Sequence, residues 1–256
     1  MRYLFGGEGL DVLSQVAFSS VLLAFDFDGT LAPIVADPAR AALRPTTRAL
    51  LKKLAGQYPC VVISGRSRAD VRRRLEGIRL AEVVGNHGIE PGRPSKRFRS
   101  RVKAWRPLLE PRLGALRGVQ IEDKTFSIAV HYRRSREKRR ARAEIFRVAT
   151  MLRGVRLIEG KQVLNLIPPG APHKGLALEG ERERHRCDIA MYVGDDETDE
   201  DVFTLDQPGR LLSIRVGSKR GSAASYFLRR QAEVDRLMRV LLRAPRRAGP
   251  RWSPRP

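Results

Sequence analysis

Asp26 and Asp28 stand two residues apart where an apolar run ends, in "LLAFDFDGTLAPI" (22–34). On a strand, residues i and i+2 point the same way, so the two carboxylates aim at one point. Like charges that close repel unless a cation or a proton lies between them. Magnesium suits such a pair: it is a hard ion that takes one or two carboxylates, keeps its waters and grips a phosphate. A second segment, "GDDETDED" (194–201), packs six carboxylates into eight residues after the apolar "IAMYV". Acidic residues favour a helix N-terminus, but in a chain of net charge +22 such density at a strand end points to a metal nearby. Ser64, in "ISGRS" (63–67), ends another apolar run with a hydroxyl and a glycine suited to phosphate oxygens. Lys174, in "PHKG", opens a helical stretch where backbone amides and an ammonium can meet one anion. Singly each signal is weak: serine and glycine end many strands, and an isolated lysine is ordinarily solvated.

These residues need elements to hold them. Apolar strand candidates fall at 21–27, 60–65, 81–86, 188–195 and 211–217, with helical stretches at about 46–56, 68–76, 174–184, 198–206, 222–229 and 231–243. Strands without alternation, separated by helices, predict an α/β fold around a parallel sheet covered on both faces. Such sheets bind ligands beyond the carboxyl ends of their strands, where the aspartate pair sits. The middle of the chain differs. "VQIEDKTFSIAVHYRR" (119–134) and "VRLIEGKQVLNLIPP" (155–169) alternate apolar and polar, as strands with one wet face do, and helical stretches lie at about 102–117 and 136–153. The expected organisation is therefore a discontinuous core, 1–92 and 171–243, an inserted α+β unit, 93–170, and a disordered basic tail, 244–256.

Composition narrows the class. With 256 residues, 42% hydrophobic and 30% charged, the chain has the balance of a folded soluble protein rather than a disordered one. No apolar run approaches the ~18 residues of a membrane helix, and the first residues lack the basic, apolar, small-residue order of a signal peptide. Cys60 and Cys187 lie at the edges of apolar segments without metal spacing, which predicts reduced core thiols in a cytoplasmic protein. Of the 50 basic residues 41 are arginine, scattered over helix faces, and aromatics are 6%. That lacks the interleaved stacking residues of single-strand binders. The expected partner is a small molecule, with no specific nucleic acid and no membrane, and a monomer is favoured.

Taken in order, the aspartate pair, Ser64, Lys174 and the acidic cluster resemble the haloacid-dehalogenase (HAD) superfamily of phosphotransferases. The resemblance implies a Rossmann-like core with an inserted cap. It also implies that Asp26 is the nucleophile, Asp28 the general acid and base, and that Ser64 and Lys174 hold the transferring phosphoryl group. Asp195 would complete a Mg2+ site with the Asp26 carboxylate and the Asp28 backbone carbonyl, with Asp196 and Asp199 as further ligands or outer support. Within that superfamily, "GNHG" (85–88), "EDK" (122–124), "HYR" (131–133), "EGK" (159–161) and "GDDETDE" are similar to the trehalose-6-phosphate phosphatases over about 20–240. This implies a sugar-phosphate substrate read by Gly65, Arg66, Asn86, His87, Glu122, Lys124, His131, Arg133, Glu159, Lys161 and Asn165. One residue departs from the pattern: in "GKQVLNLIPPG" Asn165 stands where a glutamate is expected. Catalysis is untouched by that change, but the exact sugar is not. Two alternatives stay open: the same chemistry on another sugar phosphate, such as a sucrose or glycosyl-glycerate phosphate, and a non-catalytic sugar-phosphate or nucleic-acid binding module.

Overall fold

A computed structural model describes residues 1–91, 96–205 and 209–244. The chain divides into two compact units, one built from Met1–Gly88 and the segment from His173 onward, the other from Ile89–Pro172. The first unit holds seven strands: β1 (Arg2–Tyr3), β2 (Val21–Phe25), β3 (Cys60–Ile63), β4 (Glu82–Val84), β9 (Ile189–Gly194), β10 (Leu211–Val216) and β11 (Tyr226–Leu228). They form one sheet in the order β1-β11-β10-β9-β2-β3-β4, and every neighbouring pair is parallel. Its helices are α1 (Gly7–Phe18), α2 (Pro45–Ala55), α3 (Arg68–Arg74), α6 (Lys174–Arg184), α7 (Glu200–Phe203) and α8 (Glu233–Arg243).

All five residues of β2 are buried because both faces of the sheet are covered. Leu23 and Phe25 pack with Leu13 of α1, Leu51 and Leu54 of α2, Val71 of α3, and Leu237 and Leu241 of α8. Leu22 and Ala24 turn the other way, toward Tyr192 of β9, Leu178 of α6, and Val202 and Phe203 of α7. Each fully buried Leu or Phe contributes roughly 1.5–3 kcal/mol, so two covered faces favour continuous apolar strands over alternating ones. The helices carry local signals as well. Pro45 opens α2 at a position where its missing N–H costs nothing, and Lys52 and Lys53 lie in the last turn, favourable to the helix dipole. Ser67 caps α3 by accepting from the Asp70 N–H at 3.3 Å; replacing such a cap by alanine costs about 1 kcal/mol.

Two segments differ from expectation. The 222–229 stretch, predicted helical, instead carries β11: Tyr226, Phe227 and Leu228 pair with Ile214, Arg215 and Val216 of β10. Tyr226 and Leu228 thereby enter the core, and tertiary burial of β-favouring residues overrides local helix preference. The 198–206 helix is shorter than predicted, a 3-10 turn over Glu197–Asp199 followed by one turn of α7, and its expected last residue lies outside the described ones. Strand β1 and helix α1 lie ahead of the first predicted element. The expected tail, from 245 on, lies outside the described residues.

The second unit has a four-stranded antiparallel sheet in the order β5-β6-β8-β7, formed by β5 (Gln120–Asp123), β6 (Ile128–His131), β7 (Arg156–Gly160) and β8 (Val163–Ile167). Helices α4 (Lys96–Leu113) and α5 (Lys138–Thr150) cover one face, where Trp105, Leu109, Ile145 and Val148 meet Ile128, Val130, Leu164 and Leu166. Among the described residues no helix is long and apolar enough to cross a membrane.

Candidate active site

Parallel pairing sets the register of the chemistry. Phe25 pairs with Val62 of β3 on one side and Val193 of β9 on the other. Asp26, one residue past Phe25, therefore emerges level with Ile63 and Gly194, next to Ser64 and Asp195. Its backbone N–H still donates to the Val193 carbonyl at 2.8 Å, so the carboxylate stands on a rigid strand end. Asp26, Ser64, Lys174, Asp195 and Asp199 are all buried.

Lys174, the first residue of α6, links the cluster. Its ammonium donates to Asp26 Oδ1 at 2.8 Å and to Asp199 Oδ1 at 2.7 Å. Burial opposes the charge on that ammonium, but the two carboxylates outweigh it and hold its pKa above the ordinary lysine range. Asp199 accepts three more hydrogen bonds: from the Tyr192 hydroxyl at 2.6 Å and from the N–H groups of Asp195 and Asp196 at 2.7 and 2.8 Å. Burial pushes Asp199 up, yet Lys174, Tyr192 and these amides hold its pKa down. Asp26 behaves oppositely: burial, joined by repulsion from Asp199 and Asp195, raises it well above the ordinary carboxylate range against the pull of Lys174.

Oxygens of Asp26, Asp195 and Asp199 lie within 4.8 Å of one another, an all-carboxylate set suited to a hard cation. Asp26 and Asp195 fit as ligands. The Asp195 carboxylate lies against Gly29, where a Cβ would come within 2.1 Å of Oδ2, so the φ of +83° and the missing side chain at Gly29 make its space. Asp199, expected as a ligand or outer support, has both oxygens engaged by two donors each, and its geometry is that of an anchor for Lys174 and the loop. Asp196, also in the expected metal set, caps the 3-10 turn with one oxygen, accepting from Glu197 N–H at 2.7 Å.

Asp28 lies past the strand, in a tight loop closed by Gly29 N–H to the Ala32 carbonyl at 2.7 Å. Arg66 grips both of its oxygens, Nε to Oδ2 at 2.6 Å and Nη2 to Oδ1 at 2.8 Å. The same guanidinium reaches Asp70 at 2.9 Å and the Pro38 carbonyl at 2.8 Å. Arg66, expected at the substrate, is thus the fork that orients Asp28. Ser64 Oγ accepts the Arg66 N–H at 3.2 Å. Asn86 and His87 form a buried left-handed turn after β4, and the His87 ring packs so closely on Gly65 that a side chain there would clash at 2.5 Å.

In the second unit, strand register sorts the remaining candidates. Glu122, Ala129, Asn165 and Ile158 are paired in one row across the four strands. His131 shares that face and meets Glu122 at 2.8 Å. Glu122 and Asn165 are two strand spacings apart, about 9–10 Å, with the small Ala129 between them. Glu159 pairs with Leu164 on the opposite, helix-covered face, where Arg142 of α5 holds it at 2.6 and 3.2 Å. It does not join Glu122 and Asn165, because a one-residue offset along a strand reverses the face. Lys124 sits at the β5–β6 turn. Lys161 sits at the β7–β8 turn by the far end of β6, where its carbonyl accepts from Arg133 at 2.9 Å. These two lysines flank the sheet rather than converge.

Sequence reasoning missed Tyr192, which holds Asp199, and Arg215, described below. The signal was present in both cases: a tyrosine and an arginine inside apolar strands must find partners for buried polar groups.

A parallel sheet carrying a buried carboxylate–lysine cluster at its strand ends defines the phosphotransferase class of the haloacid-dehalogenase superfamily. Residues 24–232 match the profile of the family described as trehalose-phosphatase, and the chain belongs to that family. It is 36% identical to the trehalose-phosphate phosphatase of Mycobacterium tuberculosis, over 93% of this chain and 68% of that protein. It is 32% identical to the probable trehalose-phosphate phosphatase 4 of Oryza sativa subsp. japonica, over 91% and 68%. Among solved structures, the C-terminal domain of the Candida albicans trehalose-6-phosphate phosphatase superposes with a TM-score of 0.78 at 20% identity, covering 91% of this chain and 96% of that one.

Proposed function

We propose that the protein is a magnesium-dependent phosphatase that hydrolyses trehalose 6-phosphate to trehalose and phosphate through an aspartyl-phosphate. The observation that carries this reading is the buried Lys174 bridge between Asp26 and Asp199, beside Asp195, in a chain of the trehalose-phosphatase family.

Asp26 attacks phosphorus from its rigid strand end, forming the O–P bond of the intermediate while the bond to the sugar oxygen breaks. Asp28 gives a proton to that leaving oxygen and then takes one from the water that hydrolyses the aspartyl-phosphate. Both oxygens of Asp28 are occupied by the Arg66 fork, so Asp28 exchanges Arg66 for the leaving oxygen when it acts. Lys174 and Ser64 stabilise charge on the transferring oxygens. The divalent ion, held by the Asp26 and Asp195 carboxylates, would neutralise phosphate charge and orient phosphorus toward Asp26. With all three carboxylates ionised, the state that a nearby cation favours, one ammonium leaves the cluster two negative charges, the complement of one divalent cation.

For the sugar, the row Glu122–Ala129–Asn165 supplies polar groups on either side of a small-residue floor, a spacing suited to paired hydroxyls of a disaccharide. His131, Lys124, Lys161 and Arg133 border it. Asn165 brings a hydrogen bond without charge, which favours a neutral sugar. We place the protein in the cytoplasm, since Cys60 and Cys187 are buried free thiols, the state a reducing compartment maintains.

The test is phosphate release from a panel containing trehalose 6-phosphate, sucrose 6-phosphate and glucose 6-phosphate, with magnesium and with a chelator. Trehalose 6-phosphate should give the highest kcat/KM, and chelation should stop the reaction. Preference for another member of the panel would replace the substrate while keeping the chemistry.

A further inference from the structure

Arg215 lies in an apolar strand, "LLSIRVG", where a guanidinium is costly unless every donor finds a partner. Its side chain is buried, and β10 sets it level with Gly194, the last residue of β9. From there it turns into the loop that leaves β9. Nη2 donates to the Asp195 carbonyl at 2.8 Å; Nη1 donates to the Asp196 carbonyl at 3.2 Å and to Glu200 Oε1 at 2.7 Å. The other oxygen of Glu200 accepts the Ala223 N–H at 3.0 Å, so both ends of the contact are fixed to the scaffold.

We infer that Arg215 is a positioning residue for the cation: by clamping the carbonyls of Asp195 and Asp196 it fixes the backbone from which the Asp195 carboxylate reaches the metal. The inference rests on the assignment of Asp26 and Asp195 as ligands. Six carboxylates crowd this loop and repel one another, and a loop under that repulsion loses ligand geometry unless something holds its backbone. Asp199 holds it from one side through two N–H groups, and Arg215 holds the carbonyls. Two effects of Arg215 on a cation oppose each other. Its positive charge repels a metal, while its hydrogen bonds pre-set the ligand. The ion pair with Glu200 neutralises the charge locally, so geometry decides the sign, and removing Arg215 weakens binding. Groups that orient a ligand from behind are commonly worth roughly 10–100-fold in metal affinity.

The experiment is calorimetric titration of the full chain with MgCl2, and with MnCl2 as a second probe, in the absence of any sugar phosphate. Arg215→Met keeps most of the buried volume but donates nothing, and should lose roughly ten- to a hundredfold in affinity. Arg215→Lys keeps the charge but reaches fewer of the three oxygens; it should fall between the two and recover its kcat when metal is raised to saturation, with KM for substrate little changed. Glu200→Gln leaves the guanidinium charge uncompensated and should also weaken binding. If Arg215→Met does not fold, as judged by circular dichroism, the lysine variant carries the test. Affinity in folded variants within twofold of the unmodified chain, or above it, overturns the inference alone. Absence of divalent-cation binding by the unmodified chain overturns the metal site together with it.

Discussion

Lys174 shows at the residue scale how the site tolerates buried charge. Two carboxylates within reach of one another would repel strongly in a dry interior, and one ammonium at 2.7–2.8 Å from each holds them together. Breaking such a group by removing one member commonly costs about 3–5 kcal/mol, because the remaining charges stay buried and unpaired. Lys174→Met should lower the unfolding free energy by that order in urea denaturation, besides losing activity. The sign of the pH dependence follows from the raised pKa of Lys174. Its stabilisation is complete below the ordinary lysine value of about 10.4 and fades only as pH rises through the higher folded value. The contribution of the Lys174 charge itself is therefore constant between about pH 6 and 9. For the chemistry, Asp26→Asn should abolish turnover, since no covalent route remains. Asp28→Asn should cost about 10²–10⁴-fold and let the aspartyl-phosphate build up, which rapid acid quenching with labelled substrate would detect. Near-normal phosphate release by Asp26→Asn would remove the mechanism. Asp26 at the strand end was legible in the sequence because a strand's direction is local information, whereas Asp28 lies past the strand in a loop, where that direction no longer sets its aim. Tyr192, Arg215 and the Arg66–Asp28 fork were not legible, because each joins residues that only the sheet register or a loop brings together.

At the scale of elements, α3 is tied to the loop ahead of α2 by one aspartate. Asp70 accepts from Arg66, Arg73 and Arg74 at 2.6–2.9 Å, while Arg66 also donates to the Pro38 carbonyl and Arg74 to that of Ala39. Burial pushes the Asp70 carboxyl up, but hydrogen bonds from Arg74, Arg66 and Arg73 outweigh it and hold its pKa at about 2. A depressed carboxylate stabilises the fold above its ordinary pKa and loses that contribution as pH falls toward the folded value. Asp70→Asn should thus cost about 2 kcal/mol at neutral pH, and the deficit should shrink between about pH 4 and 2, where acid titration of the wild type followed by circular dichroism should show the matching loss. The four-stranded sheet makes a prediction of its own. If Lys161 and Glu122 touch a part of the substrate that does not react, Lys161→Ala and Glu122→Ala should cut kcat/KM for the sugar phosphate by roughly 1.5–3 kcal/mol. The same variants should keep their rate on p-nitrophenyl phosphate, which lacks that part. Equal losses on both substrates would assign these residues to folding. Glu159→Ala, on the helix side with Arg142, should spare the sugar phosphate. Apolar runs marked the inner strands β2, β3, β9 and β10 correctly because both sheet faces bury them, and marked β4 at the sheet edge as well. The 222–229 stretch misled because only the pairing of Tyr226 with Ile214 reveals a strand.

Over the whole molecule the excess of positive charge is a surface property. Exposed faces of α4 and α5 carry Lys96, Arg99, Lys103, Arg112, Lys138 and Arg139, a distribution that attracts any polyanion through counterion release. Binding to DNA should therefore be independent of sequence and fall steeply as salt approaches about 0.2 M, measured by fluorescence anisotropy. Tight, sequence-selective binding at that salt would point to a nucleic-acid function instead. The sheet topology has a consequence in time. Val21 pairs with Ile189 and Phe25 with Val193, so β2, an inner strand of the large sheet, waits for its β9 partner, which follows the whole Ile89–Pro172 unit in the chain. In that unit every strand pairs with one close in sequence. Local contacts form early, and distant ones must first meet the entropy of closing a long loop. On the ribosome, the small sheet can be complete while the large one still lacks its middle. In pulsed hydrogen exchange during refolding, amides of β6 and β8 should gain protection before those of β2 and β9. The segment interrupting the larger unit would then act as its first scaffold, shortening by its own collapse the loop that β2 and β9 must close.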